Sequence, residues 1–381
     1  MPHVELRDIH STLGGISILR GMDFRIPDVA STVAGDPYIV LLGPSGCGKS
    51  TTLRTIAGLQ SPDQGQVLIG GEDVTTRPSR RRDVAMVFQG DSLYPHLTIR
   101  QSLAVSAART TDRSKRESQI GRAILMTGIS AIADRHPDRL SGGELRRAAI
   151  AKVIASGASV RLLDEPLSAL DASVRHGLAA DLRRFHDTDA ATTIHVTHDG
   201  DEAMRMADLI AVMAGGRIVQ FDTPSQIYDA PNSVTVAQSI GTPPMNFLNA
   251  SIANGEVCFE DDRIRLRRCE SVDHIVGISS ASSVKNIIVG VRPASVHLGE
   301  LGSTSLVLSI VRSSLSICRM NHSLLITVPI EGQAFAALLP RTTLFETTSL
   351  EKDTVSIAAG FDDLHFFDRA TGIRINDRSD R

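Results

Sequence analysis

Tyr38-Ile39-Val40-Leu41-Leu42, followed directly by Gly43-Pro44-Ser45-Gly46-Cys47-Gly48-Lys49-Ser50, decides how this chain reads. An unbroken hydrophobic run of this length suits a strand buried on both faces. The residues after it match G-x-x-x-x-G-K-[ST], whose glycines let the chain curl until successive backbone N–H groups converge on phosphate oxygens. A helix predicted over Ser50–Leu59 adds its positive N-terminal end. Lys49 supplies a point charge toward the β- and γ-phosphates, and the Ser50 hydroxyl suits a Mg²⁺ shell that prefers oxygen. The bland alternative is a glycine-rich strand–helix turn with no ligand. With five lysines in 381 residues, a chance match is on the order of one in a hundred. Cys47 reads as a small filler of the loop, with a thiol expected to make the site sensitive to alkylation.

Two further stretches carry the same chemistry. Val160-Arg161-Leu162-Leu163-Asp164-Glu165-Pro166 is a short apolar strand ending in two carboxylates. Asp164 is placed to hold Mg²⁺, and Glu165 to orient the water that attacks a γ-phosphate. Arg161, odd inside an apolar strand, is expected at the strand's start with its head in solvent. Leu140-Ser141-Gly142-Gly143-Glu144 precedes a helix predicted over Glu144–Ser156. Ser141 and Glu144 form the S-x-x-E pattern of a capping box. The double glycine, which a cap does not need, suits backbone amides approaching a second anion. That anion would lie across a cleft or on another subunit.

Composition narrows the class. At about 150 residues per domain, 381 residues suggest two or three domains. Forty Lys plus Arg against 43 Asp plus Glu give a formal charge of −3, so no bulk basicity points to nucleic acid. No apolar run approaches the ~18–20 residues of a membrane helix, and the first ten residues lack a secretory apolar core. The expectation is a chain that neither spans a membrane nor is exported. Cys47, Cys258, Cys269 and Cys318 show no C-x-x-C spacing, which disfavours zinc and disulfides and fits a reducing cytosol.

Along the chain, strands are predicted at Tyr38–Leu42, Val84–Phe88, Val160–Leu163, Ile194–Thr197 and Leu209–Met213. Helices are predicted at Ser50–Leu59, Ser118–Thr127, Glu144–Ser156, Ala172–Phe185 and Asp201–Met206, so the alternation reads as a parallel α/β sheet. Gly241-Thr242-Pro243-Pro244 interrupts regular structure. Beyond it, strand-like runs at Arg263–Arg267, Asn286–Val291, Ser305–Val311, Leu324–Val328, Ala334–Leu339 and Thr354–Ala358 suggest a compact β-barrel-like domain. The run Arg263-Ile264-Arg265-Leu266-Arg267-Arg268 reads as a half-buried strand rather than a nucleic-acid contact, because no aromatic platform accompanies it.

Taken together, the phosphate loop, Gln89, Leu140–Glu144, Asp164–Glu165, Ser168-Ala169-Leu170-Asp171 and His198 stand in the order found in ABC-transporter ATPase subunits. The resemblance covers nearly the whole chain. Val87-Phe88-Gln89 with Leu93-Tyr94-Pro95-His96-Leu97-Thr98, Thr197-His198-Asp199 with Glu202-Ala203-Met204, and Pro244-Met245-Asn246-Phe247 resemble the carbohydrate-importer branch, with its maltose and glycerol-3-phosphate ATPases. Gly290-Val291-Arg292-Pro293 and Leu364-His365-Phe366-Phe367-Asp368 resemble that branch's C-terminal β domain.

This resemblance implies a P-loop α/β ATP-binding domain over residues 1–240, with a helical insert at about 92–156. An oligomer-binding-like (TOBE-type) regulatory β domain would follow over 241–381. It implies a homodimer packed head to tail, each ATP lying between the loop Gly43–Thr51 of one subunit and Ser141, Gly142 and Gly143 of the other, with Asp171 bridging the halves. Glu165, His198, Lys49 and Gln89 would be catalytic, and Ser50, Gln89 and Asp164 would hold Mg²⁺. Tyr94–Thr98 would face two integral permease subunits at the cytoplasmic side of the membrane, served indirectly by an external solute-binding protein. His195, His176 and His186 carry no such role and are expected in solvent.

Three departures accompany the resemblance. Leu13 stands where the family places an adenine-stacking aromatic residue, which weakens base binding by about 1 kcal/mol. Glu144 replaces the usual glutamine and would repel a γ-phosphate unless it folds back onto its cap, with Arg146 and Arg147 offsetting its charge. The stretch Pro27–Asp36 is longer than the family's usual connection and reads as a surface loop. Slow hydrolysis is expected. The alternatives are a regulatory nucleotide-binding protein with little turnover, and a soluble ABC ATPase working without permeases.

Overall fold

Two ten-residue strands, β1 (Val4–Leu13) and β2 (Ile16–Arg25), form a hairpin closed by Gly14 and Gly15, both at positive φ. A Gly-Gly pair suits the tight turn that the twist of paired strands demands. The computed structural model describes residues 4–25, 36–88, 93–168, 170–189, 191–253, 256–266, 285–299, 305–320, 323–340 and 354–375. Gln89, Ala169, Arg267, Arg268, Cys269 and nearly all of the 27–36 loop lie outside them. The hairpin carries no expected strand because its period of two is broken. The β1–β2 register shifts between Leu6 and Ile9, where Asp8 sits at φ 48°.

The next elements are β3 (Tyr38–Leu42), α1 (Lys49–Ala57), β4 (Gln64–Ile69), β5 (Glu72–Asp73) and β6 (Val84–Val87). Then come α2 (Ile99–Ser106), α3 (Arg113–Met126), α4 (Gly142–Ala155), β7 (Val160–Asp164), α5 (Ala172–Thr188) and β8 (Thr192–Thr197). The first compact unit, Met1–Asp229, closes with α6 (Gly200–Met206), β9 (Leu209–Ala214), β10 (Arg217–Asp222) and α7 (Pro224–Asp229). A six-stranded sheet runs β10-β9-β3-β8-β7-β6, parallel except for β10, and a four-stranded antiparallel sheet runs β2-β1-β4-β5. Leu53 and Ile56 of α1 and the apolar sides of β1 and β2 pack on Ile39, Leu41, Leu162, Ile194 and Val196. All five residues of β3 are buried, as the unbroken apolar run requires. The carboxyl ends of β3, β7 and β8 therefore share one edge of the sheet, where ligands of open α/β sheets bind.

The opposite face of that sheet is buried too, but polar. Arg161 is 3% exposed: its guanidinium pairs with Asp189 and lies 4.2 Å over the Phe185 ring. The expectation of a solvated head fails because α5 covers this face, and burial holds the guanidinium below its usual pKa despite Asp189. His186 and His195 are likewise buried rather than solvated, whereas His176 is exposed. Tyr38 Oη lies 2.8 Å from His195 Nδ1, and His195 Nε2 lies 2.7 Å from Glu202 Oε1. Burial, with Glu202 adding to it, raises the Tyr38 pKa far above normal, so the phenol keeps its proton beside the imidazole.

The second unit, Ala230–Arg381, begins with α8 (Val234–Ser239). Its strands are β11 (Asn246–Ala253), β12 (Glu256–Phe259), β13 (Ile264–Leu266), β14 (Lys285–Val291), β15 (Val296–Leu298) and β16 (Ser305–Val311). They continue with β17 (Ser316–Arg319), β18 (Ser323–Ile330), β19 (Gln333–Pro340), β20 (Thr354–Gly360) and β21 (Leu364–Asp368). They pair antiparallel in sheets β12-β11-β14-β21, β13-β16-β20-β15 and β17-β18-β19 around one apolar core. In β13, Ile264 is buried and Arg265 exposed, the half-buried pattern read from the alternation. Arg292 donates to the carbonyls of Ala237 (3.0 Å) and Ile240 (2.7 Å), tying the α8 region to this unit.

Within the first unit, Arg82 is 2% exposed and seals the carboxyl end of α1. It donates to the carbonyls of Thr55 (2.7 Å), Ile56 (2.8 Å), Thr75 (2.9 Å) and Arg77 (2.9 Å). Truncating it strands buried carbonyls and opens a cavity. Arg82→Met is expected to lower unfolding free energy by about 3 kcal/mol in urea denaturation, while an exposed control, Arg80→Met, stays within about 0.5 kcal/mol.

Candidate functional site

The loop Gly43–Ser50 has the geometry its residue types allow. A Cβ on Gly43 would collide with the Met213 carbonyl and come within 2.9 Å of Cys47 Sγ. Gly46 and Gly48 adopt φ of 81° and 107°, a region that side chains rarely enter. Gly48 caps α1 with no side-chain acceptor for the helix's first amides, which suits a bound anion. Lys49 Nζ donates to the carbonyls of Gly43 (2.7 Å) and Pro44 (2.9 Å) within the loop. Pro44, Ser45 and Gly46 are exposed, whereas Cys47 and Lys49 are buried.

Ser50 Oγ donates to Asp164 Oδ1 at 2.8 Å across 114 residues of sequence, joining the tips of β3 and β7. Burial raises the Asp164 carboxyl above the usual carboxylate range, with the Ser50 hydrogen bond opposing it. These two hard oxygen donors fit a Mg²⁺ ion that takes its other ligands from phosphate and water. Glu165 follows at φ 46°, a left-handed state that costs a non-glycine residue about 1–2 kcal/mol. Its Oε1 lies 3.3 Å from His198 Nδ1, the residue just past β8. Asp199 then caps α6 through the amides of Asp201 (2.9 Å) and Glu202 (3.1 Å). The Tyr38–His195–Glu202 chain thus joins β8 and α6, the elements on either side of His198. The sequence reading overlooked it because nothing in the motif spacing points at a buried face.

The second glycine pair opens α4 with both halves of the capping box formed. Glu144 Oε2 accepts from the Ser141 amide (2.8 Å) and hydroxyl (2.8 Å), and those bonds hold its pKa down. The carboxylate has folded back onto the cap. Arg146 and Arg147 do not offset it, contrary to expectation: Arg146 turns to the carbonyls of Phe88 and Asp164–Pro166, and Arg147 to Asp181 (3.1 Å). Ser141 and Gly142 are exposed, with open space where a Gly142 Cβ would stand. Leu13 is 58% exposed at the hairpin end. Asp171 is exposed at the start of α5 and its side chain makes no cap hydrogen bond. Tyr94 is partly exposed, with Lys152 Nζ 4.9 Å from its ring centre.

Burial lifts the Cys47 thiol above its usual pKa, with Lys49 only partly opposing. Less thiolate exists at neutral pH, and what exists is covered, which corrects the expectation of easy alkylation. Iodoacetamide at pH 7 should label exposed Cys258 and Cys318 well before Cys47, with Cys47 labelling rising steeply as pH increases. Peptide mass spectrometry reads the order, and early labelling of Cys47 would refute it.

Among the described residues, no helix is long and apolar enough to cross a membrane. Residues 26–168 match the ABC transporter family (ABC_tran). The chain is 39% identical over 300 residues to the sulfoquinovosyl glycerol transport ATP-binding protein SmoE of Agrobacterium fabrum, covering 78% of this chain and 80% of that protein. It is 34% identical over 385 residues to the trehalose/maltose import ATP-binding protein MalK of Thermococcus litoralis, covering 98% of this chain and 99% of that protein. Among solved structures, the ATP-binding cassette MJ0796, dimeric, post-hydrolysis and bound to ADP and Pi, aligns with TM-score 0.51 at 25% identity. That alignment covers 58% of this chain and 98% of the cassette. With a tightly curled glycine loop, an acidic strand tip and a capped glycine pair in place, and relatives matched over four-fifths or more of their length, the chain belongs to the family of ABC transporter ATP-binding proteins.

Proposed function

We propose that this chain is the ATP-hydrolysing subunit of an ABC importer that energises uptake of a sugar or sugar-phosphate-like solute through partner permeases. The observation that carries the reading is the approach of Glu165 to His198, 3.3 Å apart, beside the Ser50–Asp164 pair at one sheet edge. The amides of Gly43–Thr51 and Lys49 bind and orient the triphosphate. Glu165 takes a proton from water as that water attacks the γ-phosphorus and the bond to the bridging oxygen of ADP breaks. His198 holds the γ-phosphate and keeps the water in line with Glu165. Ser50 and Asp164, with Gln89, would hold Mg²⁺, which when bound neutralises phosphate charge.

Ser141, Gly142 and Gly143 of a second copy complete the site, with Asp171 at the seam, so closure and hydrolysis are linked. The fold of Glu144 onto its cap supports this role, because it removes the carboxylate from an incoming phosphate. Exposed Leu13 meets adenine without aromatic stacking, so base selectivity is modest. Residues to about 240 form the nucleotide-binding domain with its helical insert. Those beyond form an oligomer-binding-like regulatory domain, supported by the antiparallel sheets there. Tyr94–Thr98 receive the permeases at the cytoplasmic membrane face, and an external binding protein selects the solute. Leu13 is the one feature favouring the regulatory alternative with little turnover.

Glu165→Gln should lower kcat at least about a hundredfold and trap a nucleotide-bound dimer on size exclusion, and EDTA should abolish wild-type turnover. A wild type inert even with its permeases would replace this reading by the regulatory one. In detergent extracts, affinity capture should recover integral permeases, and recovery of soluble partners alone would sink the importer.

A further inference from the structure

Arg146 lies early in α4, shortly after the Ser141 cap, and its guanidinium is engaged almost wholly by main-chain oxygen. Nε donates to the Pro166 carbonyl at 2.5 Å and Nη1 to Phe88 at 3.0 Å. Nη2 donates to Asp164 at 3.3 Å and also to Glu165. The acceptors come from two places, the end of β6 and the turn leaving β7. A guanidinium is a planar fork with fixed donor directions, so it satisfies both only while α4, β6 and the β7 exit keep one mutual spacing.

A second observation bears on the same atoms. The left-handed backbone of Glu165 at φ 46° persists only where its surroundings over-determine it. Its amide donates to Val196 at 3.1 Å, and its carbonyl accepts from Ser168 N at 3.2 Å, Ser168 Oγ at 2.8 Å and Arg146. Of these restraints, Arg146 alone comes from α4, the helix that the glycine pair opens.

We propose that Arg146 is a positioning residue for hydrolysis, a splint through which the helix begun at Ser141–Gly143 sets the place of Glu165. The inference rests on the function proposed above. A nucleotide seated on the glycine pair moves or steadies α4, and the fork carries that to the carboxylate of the same subunit. Each subunit's hydrolytic carboxylate thereby responds to the nucleotide held by its partner's loop. The side chain does not touch substrate.

Full-length Arg146→Lys and Arg146→Gln test this, because lysine keeps the charge without the fork and glutamine keeps one donor group without the charge. Steady-state ATPase kinetics are to be read alongside equilibrium binding of a fluorescent ATP analogue and thermal melting. Displacing the carboxylate by about an ångström predicts a kcat loss on the order of a hundredfold for glutamine, less for lysine, with KM and analogue affinity within about twofold. The Hill coefficient for ATP should fall toward one. Wild-type kcat in both variants overturns the inference, as do equal losses of kcat and affinity, which mark a merely structural arginine. Should glutamine prevent folding, the lysine variant decides by the same criteria. A wild type without turnover overturns the ATPase reading and this inference with it, whereas normal wild-type turnover with indifferent variants removes Arg146 alone.

Discussion

The hydrogen bond from Ser50 to Asp164 is the constraint on which the site depends. It forms only because β3 and β7 run parallel with β8 between them, so that their carboxyl ends arrive at one edge. The strand order also brings His198 beside Glu165, since each follows the tip of a neighbouring strand. Neither pair is local in sequence. The sheet converts distant motif residues into contacts of 2.8 Å (Ser50–Asp164) and 3.3 Å (Glu165–His198).

The sheet bears its functional load on one edge and its polarity on one face. Tyr38, Arg161, His186, His195 and Glu202 are all buried there, and each has a partner. Close polar contacts fix the orientation of these side chains, while Arg161 Nε, His195 Nε2 and Glu202 Oε1 make no well-formed hydrogen bond among the described residues. The Tyr38–His195–Glu202 chain ties the start of β3 to β8 and α6, the elements that flank His198.

Much of this was legible beforehand where a residue type answers to a local rule. Tyr38–Leu42 reads as a doubly buried strand, the Gly43–Ser50 spacing as a cradle, and Ser141 with Glu144 as a cap, because each signal lies within a few residues. Thr98 with Gln101 forms another capping box that the pattern allows and that starts α2, an element the reading missed. Arg161 and the two buried histidines were misplaced because only the packing of α5 and α6 decides which face meets water. The contacts of Arg82 and Arg146 were invisible for a different reason. Their acceptors are carbonyls, which every residue possesses and no sequence marks.

Arg82 has a consequence beyond holding α1 in place. The helix presents the positive end of its dipole to the glycine loop and its negative end to a buried guanidinium. A charge sealed from solvent is poorly shielded by mobile ions, so its influence does not fade in brine as a surface lysine's would. The buried cation at the tail of α1 thus offsets the negative end of that helix at low and high salt alike.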